Sequence, residues 1–278
     1  MGEEKFVFNS GETAEELKNK YNPEGSLLRM VQLRLLDMLL YFDRICKEIN
    51  VDYRIDSGNV LGAVRHGGFI PWDDDLDVAI ENYGEYERLC HYLKSHPHPQ
   101  YVLQDDTTDE GHFKYWNTLR DLNSEYIHLN EGEDKLDRML KYRGLQIDIF
   151  PFDAGVIPSL YFKYAEWNRR EKWAMLENNH FKVRLIHVVR KRVFNPILRT
   201  LSNLFGDKQF YMHSYGAPFK ARVPKEVLLP HRPIIFENHE FPGPADPIKY
   251  CELVYGDYMT LPPIEKRDQH QVTYRLWD

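Results

Sequence analysis

The chain of 278 residues is long enough for one large domain or two of average size, with a core of its own. Hydrophobic residues make up 42% of it and charged residues 28%, a balance that excludes a chain disordered throughout. A net charge of −7 argues against a nucleic-acid-binding protein. Residues 160–222 nevertheless carry 13 Lys and Arg against 4 Asp and Glu, so this segment is strongly basic.

Spacing of apolar residues and capping residues predicts alternating helices and strands in the first half of the chain. Thr13 and Glu16 have the spacing of a capping box, and Ser26 precedes a long stretch with helical periodicity. The predicted helices cover residues 14–22, 27–50, 59–66 and 85–94. The predicted strands cover residues 52–55, 76–80, 101–104, 113–120, 125–128 and 145–150.

The second half has a different texture, with helix-forming, aromatic and basic residues after Pro158 and a break at Pro196. Seven prolines between residues 217 and 247 predict an irregular or turn-rich segment, and a last helix ends at Gly256. The order of elements predicts an α+β fold, a mixed sheet flanked by helices with a helical and Pro-rich C-terminal part. A boundary near residue 155 would divide a catalytic core, 1–155, from a C-terminal region, 156–278, although one continuous domain fits equally well.

The sequence shows no sign of export or of a membrane span. No apolar run approaches the roughly 18 residues that cross a bilayer, and the N-terminal residues are acidic where a signal peptide is basic. Cys46, Cys90 and Cys251 are scattered and odd in number, which favours buried free thiols in a reducing compartment. We therefore expect a cytoplasmic protein.

The densest chemical signal is the run of acids Asp73, Asp74, Asp75 and Asp77. Clustered carboxylates repel one another, and a bound cation relieves that cost. In a strand over residues 76–80, Asp75 and Asp77 project to one face, with Asp73 joining them if the extended backbone begins earlier. Asp74 points the other way. The alternative is an acidic turn that caps a helix.

A second acid, Asp148, lies between Ile147 and Ile149 in an apolar strand. A lone carboxylate is costly in a sheet interior, but on a neighbouring strand it could meet Asp75 and Asp77. Three such carboxylates offer the oxygen ligands that Mg²⁺ prefers. A structural Asp paired with an Arg is the alternative for Asp148 alone.

Two further features could bind phosphate. Ser57 and Gly58 lie between a predicted strand and a predicted helix, where backbone N–H groups can face an anion. Arg65 is a candidate phosphate clamp, with a helix C-terminal cation as the alternative. Arg120 is a second candidate partner for phosphate, and a structural pairing with Asp121 or Glu125 competes with that role.

Residues 57–78 closely resemble the signature of the LicD family, within the nucleotidyltransferase-fold superfamily. Asp75 and Asp77 match the family's Asp-x-Asp pair, Asp148 in IDIFPF matches the third Asp, and Ser57-Gly58 matches the Gly/Ser turn. Tyr255-Gly256-Asp257-Tyr258-Met259 resembles the C-terminal motif. The resemblance implies a nucleotidyltransferase-like fold and transfer of a phospho-alcohol, phosphocholine above all, from a CDP-linked donor to a glycan hydroxyl, with release of CMP.

On this resemblance, Asp75, Asp77 and Asp148 are the catalytic and metal-binding residues. They would hold one or two Mg²⁺ ions, for which Mn²⁺ could substitute. Ser57, Gly58, Arg65, Asp73 and Arg120 are the predicted substrate-binding residues. The expected partners are a CDP-alcohol and a glycan or lipid-linked glycan, and no nucleic acid.

Alternative functions use the same residues. A nucleotidyltransferase would leave a nucleoside monophosphate on a small acceptor, and a non-catalytic nucleotide-binding protein could share the fold. The basic segment 160–222 could form an amphipathic helix that contacts an anionic membrane surface, or a solvated helix packed on the sheet. Tyr161, Tyr164, Trp167 and Trp173 are interpreted as core residues, with a sugar platform as the alternative.

Overall fold

The structure is a computed structural model that describes residues 6–166, 180–267 and 271–277. Its helices are α1 (Ala14–Tyr21), α2 (Leu27–Glu48), α3 (Ser57–His66), α4 (Tyr83–Ser95), α5 (Glu131–Asp137), α6 (His180–Val189), α7 (Asn195–Phe205), α8 (Lys225–Leu228) and α9 (Pro247–Tyr255). Residues 158–166 are also helical. A π-helix, Arg190–Phe194, joins α6 to α7, and a short 3₁₀ helix covers Ile264–Lys266.

The strands are β1 (Arg54–Ile55), β2 (Leu76–Ile80), β3 (Tyr101–Gln104), β4 (Asn117–Asp121), β5 (Ser124–His128), β6 (Gln146–Ala154), β7 (Phe210–His213), β8 (Val223–Pro224), β9 (Arg232–Phe236), β10 (His239–Gly243) and β11 (Val272–Leu276). The main sheet has the order β1-β2-β6-β4-β3, and β7 and β8 extend it from the far end of β6. Strands β2 and β6 are parallel, whereas the other pairs are antiparallel. The predicted α+β fold with a mixed sheet is confirmed.

Helix α2 anchors the core. The side chain of Ser26 accepts a hydrogen bond from the backbone N–H of Arg29 at its start, and the capping box of Thr13 and Glu16 begins α1 as predicted. Leu35, Leu39 and other apolar residues of α2 are fully buried in the largest apolar cluster, with Val78 of β2 and Ile149 of β6. Helix α2 thus covers one face of the sheet and leaves the opposite side chains of β2 and β6 free for a site.

The Pro-rich segment is less irregular than the prolines predict. Strands β9 and β10 form a hairpin whose turn residues, Glu237 and Asn238, both have positive φ, as a two-residue hairpin turn requires. Pro233 and Pro242 face each other in a two-stranded pair, where a missing N–H costs little. The prediction of irregular structure was wrong for residues 232–243.

The C-terminal region also contributes to the main sheet. Strand β7 pairs with Phe152, Asp153 and Ala154 at the end of β6, so residues on both sides of the expected boundary near residue 155 share one sheet. Tyr161 and Tyr164 are buried in an apolar cluster with Tyr215, which confirms the core interpretation for these two residues. Trp167 and Trp173 lie outside the described residues.

Two expectations about the compartment can be compared with the structure. The three cysteines are free and buried, as predicted. Among the helices of residues 6–166, 180–267 and 271–277, none combines the length and the apolar character that a membrane span needs.

A buried histidine links the hairpin region to β2. His231 Nε2 lies 3.1 Å from Glu81 Oε2, and its Nδ1 lies 2.9 Å from Asp52 Oδ1. Burial alone would lower the pKa of His231, but the hydrogen bonds and charges of these two carboxylates outweigh burial and raise the pKa to about 9. His231 is therefore protonated at neutral pH.

The free energy of unfolding should depend on this histidine. A folded-state pKa of about 9 lies above the unfolded value of about 6.5, so the stabilisation is complete below about pH 6.5 and is lost as the pH rises through 9. We expect denaturant unfolding of wild type to lose on the order of 3 kcal/mol between these limits relative to His231→Asn. His239→Gln, at an exposed position of the same hairpin, should follow wild type. A wild-type curve parallel to that of His231→Asn would contradict the assignment.

Candidate active site

The site begins with two neighbouring parallel strands. Asp77 of β2 is in direct register with Asp148 of β6, and adjacent strands are about 4.8 Å apart. Leu76 and Val78, which flank Asp77, are completely buried on the other face. The alternation of side chains along β2 therefore places Asp77 and Asp148 together on the face that is not packed into the core.

Other carboxylates surround Asp77. Burial and the negative charges of Asp75, Asp148, Asp56 and Asp73 raise the pKa of Asp77 well above its ordinary value. Asp74 differs from its neighbours because it is buried and accepts a hydrogen bond from Tyr274 of β11. The acids predicted to share one face thus influence one another, and the region favours a positive charge.

Asp148 already has a positive partner. Lys114 Nζ lies 3.0 Å from its Oδ1 and 2.9 Å from its Oδ2, and Thr118 Oγ1 donates a hydrogen bond of 2.8 Å to Oδ1. Thr118 lies opposite Asp148 in the register of β4 with β6. An ammonium group therefore holds the carboxylate that the sequence predicted as a metal ligand.

These contacts decide how well the residues fit a cation. In the described ranges, no three His, Cys, Asp or Glu side chains are arranged as a ready-made metal cluster. Asp75 and Asp77 nevertheless supply carboxylate oxygen atoms of the kind that Mg²⁺ prefers, and a cation would relieve the repulsion that raises the pKa of Asp77. Asp148 would join them if Lys114 moved from its carboxylate to another anion.

The N-terminus of α3 is fixed beside these acids. The backbone N–H of Asp56 donates to the carbonyl oxygen of Asp77 at 2.9 Å, and the side-chain oxygen of Asn59 accepts from the N–H of Asp77 at 2.7 Å. Ser57 has a positive φ of 49°, and its N–H donates to Tyr250 Oη at 3.2 Å. A Cβ atom on Gly58 would lie 3.0 Å from Asp73 Oδ2, so a larger residue would crowd that carboxylate.

Beneath the helix N-terminus lies a buried polar network that the sequence analysis missed. Asp56 is completely buried and is hydrogen-bonded to Arg54 and to Tyr250, while His213 Nε2 lies 3.4 Å from its Oδ2. Burial would raise the pKa of Asp56, but Arg54, His213 and Tyr250 hold it well below its ordinary value. Arg54 Nε also donates to Glu81 Oε1 at 2.6 Å. The available signal was a pair of charged residues two apart, Arg54 in a predicted strand and Asp56 directly after it.

The two predicted phosphate-binding arginines have structural partners. Arg65 is buried, donates from Nη1 to the carbonyl oxygen of Tyr258 at 2.8 Å, and has its pKa lowered to about 10 by burial. Arg120 donates to Gln104 Oε1 and to the carbonyl oxygen of Gly144, each at 2.7 Å. Its partners are neither of the two acids considered from the sequence, and its role towards phosphate stays a prediction.

A large cavity adjoins the carboxylates. Its volume is about 810 Å³, and its lining includes Lys114, Trp116, Arg120, Gln146 and Phe162. Arg120 is in register with Gln146, two residues from the pair of Thr118 with Asp148, so both side chains lie on the same face as Asp148. Lys114 therefore lies between the acidic site and the cavity.

A mixed sheet with paired acids on adjacent parallel strands, beside a helix N-terminus, is the arrangement of a nucleotidyltransferase-like site. The family model of the LicD/FKTN/FKRP nucleotidyltransferase domain matches residues 50–198, which is more than half of the chain. The chain therefore belongs to this family.

Individual relatives agree with the family. The lipopolysaccharide cholinephosphotransferase LicD of Haemophilus influenzae is 25% identical over 264 residues, which are 88% of this chain and 96% of the relative. An uncharacterized protein of Rickettsia typhi is 30% identical over 176 residues, 56% of this chain and 54% of that protein. The ribitol 5-phosphate transferase FKRP of Mus musculus is 41% identical over 51 residues, 18% of this chain and 10% of that enzyme.

The repulsion at Asp77 has a measurable consequence. Asp77→Asn removes a charge that its carboxylate neighbours oppose, so we expect an unchanged or higher melting temperature without metal. We expect Mg²⁺ to raise the melting temperature of wild type and to have no such effect on this variant. Asp74→Asn is the matched control, because Asp74 is bonded to Tyr274 and should leave the Mg²⁺ effect intact. A full Mg²⁺ response in Asp77→Asn would contradict the assignment.

Proposed function

We propose that this protein is a Mg²⁺-dependent transferase that moves a phospho-alcohol, specifically phosphocholine, from a CDP-linked donor to a hydroxyl group of a glycan. Membership of the LicD family supports the reaction class. The likeness to a lipopolysaccharide cholinephosphotransferase, which covers 96% of that relative, supports choline as the alcohol and a glycan as the acceptor. The observation that carries the proposal is the register of Asp77 with Asp148 beside the N-terminus of α3.

The reaction exchanges one ester of phosphorus for another. The oxygen atom of the acceptor hydroxyl forms a bond to the phosphorus that bears choline. The bond between that phosphorus and the bridging oxygen breaks, and CMP leaves with the bridging oxygen and its electron pair. The hydroxyl proton passes to a base. Such a transfer needs in-line positioning and neutralisation of charge more than covalent catalysis.

Each part of the site has a role in this scheme. Asp148 accepts the proton of the attacking hydroxyl, because it is the acid of the pair nearest to the cavity. Thr118 holds its carboxylate in place, and Lys114 does so until the donor binds. The start of α3 at Ser57 and Gly58 faces the donor diphosphate and favours its negative charge.

A divalent cation fits the same scheme. Asp75 and Asp77 would hold Mg²⁺, which would neutralise the donor diphosphate when bound, and Mn²⁺ or a second ion could serve likewise. When the donor phosphates arrive, Lys114 would move from Asp148 to phosphate and release a third carboxylate for the cation.

Release of CMP and modification of the acceptor test the proposed reaction. We expect purified protein with Mg²⁺ and CDP-choline to release CMP and to add phosphocholine to an oligosaccharide acceptor. Asp148→Asn should lower kcat by at least about 100-fold, because it removes the base. Asp74→Asn, in the same acidic run but on the other side of β2, should keep kcat within about threefold of wild type.

Mass spectrometry of the acceptor distinguishes this reaction from the main alternative. An acceptor that gains a nucleotide, with pyrophosphate released from CTP, would support a nucleotidyltransferase and contradict the proposal. CDP-ribitol and CDP-glycerol in place of CDP-choline test the alcohol. A preference for either would correct the headgroup and leave the reaction class intact.

We also propose that α6, the π-helix and α7 contact a membrane at the cytoplasmic side. Large apolar side chains are exposed along this stretch, with Phe181 83%, Leu204 68% and Phe205 76% exposed. Leu185, Val189, Val193 and Ile197 continue the series at intervals of four residues. An exposed apolar stripe of this kind is typical of helices that lie in a membrane interface.

The charges along this stretch act partly within the protein. Lys191 and Arg192 pair with Asp106, and Arg199 pairs with Asp153. We therefore expect the apolar stripe to contribute more to membrane binding than the cations that the sequence suggested. Anionic lipid should strengthen binding only modestly.

Liposome co-sedimentation measures this contact. Phe205→Ser should weaken binding to vesicles of phosphatidylcholine and phosphatidylglycerol by about tenfold, since a buried Phe contributes roughly 1.5–3 kcal/mol. Ile264→Ser, which changes another well-exposed apolar residue outside the stripe, should bind as wild type does. Equal binding by both variants, or none by wild type, would contradict membrane contact through this surface.

A further inference from the structure

The cavity beside Asp148 has no assigned occupant. Its wall combines aromatic rings with charged and amide groups: Lys114, Tyr115, Trp116, Arg120, Gln146 and Phe162. Its volume of about 810 Å³ lies within the range of binding sites for sizeable organic molecules. A wall that mixes aromatic rings with polar groups favours a ligand with both apolar faces and hydroxyl groups.

The order of strands determines on which side of the reaction centre the cavity lies. Ser57 and Gly58 follow β1, which lies beside β2, and the main sheet continues from β2 to β6 and then to β4. Across this face, the helix N-terminus comes first, then Asp77, then Asp148, then Thr118. The cavity lies beyond Asp148, at Arg120 and Gln146, on the opposite side from the helix N-terminus.

In-line transfer requires the attacking hydroxyl and the leaving group to be on opposite sides of the phosphorus. The helix N-terminus favours the anionic donor, so the acceptor must approach from the other side, past Asp148. Resting on the proposed function, we propose that this cavity binds the glycan acceptor and presents one of its hydroxyl groups to Asp148.

Unpaired polar atoms in the wall are consistent with a hydroxyl-rich occupant. Trp116 Nε1 and both ring nitrogens of His112 are buried and have no hydrogen-bond partner among residues 6–166, 180–267 and 271–277. His112 is neutral, because burial lowers its pKa well below the ordinary value, so its ring can both donate and accept. Unpaired buried groups destabilise a fold, and a hydroxyl-bearing ligand could satisfy them after small side-chain rotations.

Filling the cavity tests the proposal without removing any side chain. Ala165, a partly exposed residue of the wall, can be replaced by Trp. With CDP-choline as donor and deacylated lipopolysaccharide oligosaccharides as acceptors, Ala165→Trp should raise KM for the acceptor by at least about tenfold. KM for CDP-choline and the slow release of CMP to water should stay within about twofold of wild type.

Two further variants control for folding and bulk. Lys163→Trp places the same ring on an exposed position of the same helical segment and should behave as wild type. Phe162→Ala removes a ring from the wall and should also raise KM for the acceptor. This variant serves as the test if Ala165→Trp does not fold.

The remaining outcomes contradict either the acceptor site or the proposed function. A loss of CDP-choline binding or of CMP release to water in Ala165→Trp would show that the donor occupies the cavity and would overturn the inference. Unchanged kinetics in both wall variants would overturn it as well, as would a wild type that hydrolyses the donor but modifies none of the oligosaccharides. Failure of wild type to release CMP from any CDP-alcohol would instead contradict the proposed function.

Discussion

Repulsion among carboxylates is the constraint on which the rest of this structure depends. Parallel pairing of β2 with β6 brings Asp77 and Asp148 into register, and Asp75, Asp73 and Asp56 add their charges to the same region. A fold selected for stability alone would separate these groups. The chain instead keeps them together on a sheet whose other face is packed against α2, so the geometry of the acids is fixed by a rigid core.

Different parts of the chain compensate for this charge in different ways. Asp148 is neutralised by Lys114 and hydrogen-bonded by Thr118. Asp56, deeper in the fold, is held by Arg54 and Tyr250 from α9, so the C-terminal region stabilises the start of α3. Among the described residues Asp77 has no comparable cation, and its raised pKa marks a position that a bound ion would stabilise.

The sequence predicted the face of the acids because the evidence was local. Alternation along β2 distinguishes Asp77 from Val78, and an isolated Asp148 in an apolar strand predicts the same face of the sheet. It could not predict Lys114 as the partner of Asp148, because that contact joins residues 34 apart in sequence. It likewise missed Tyr250, whose contact with Asp56 spans 194 residues.

Residue propensities and local patterns failed to predict other parts of the structure. Proline is disfavoured in a central strand but tolerated in a two-stranded hairpin. The prolines of β9 and β10 therefore hid these two strands from the sequence analysis. Strand β11 was also missed, although Val272, Tyr274 and Leu276 alternate with polar residues, and it pairs with β5 far along the chain. The cavity arises from several separated segments, including residues near Lys114 and Phe162, and no local pattern marks it.

The central claim is that the acids of β2 and β6 form one cation site for phosphotransfer. Anomalous diffraction from crystals soaked with Mn²⁺ and CDP-choline tests it most directly. We expect an anomalous peak within about 2.5 Å of carboxylate oxygen atoms of Asp75, Asp77 and Asp148, with Lys114 moved from Asp148 towards phosphate. A peak elsewhere in the protein, with the donor bound away from β2 and β6 and Lys114 still on Asp148, would contradict it.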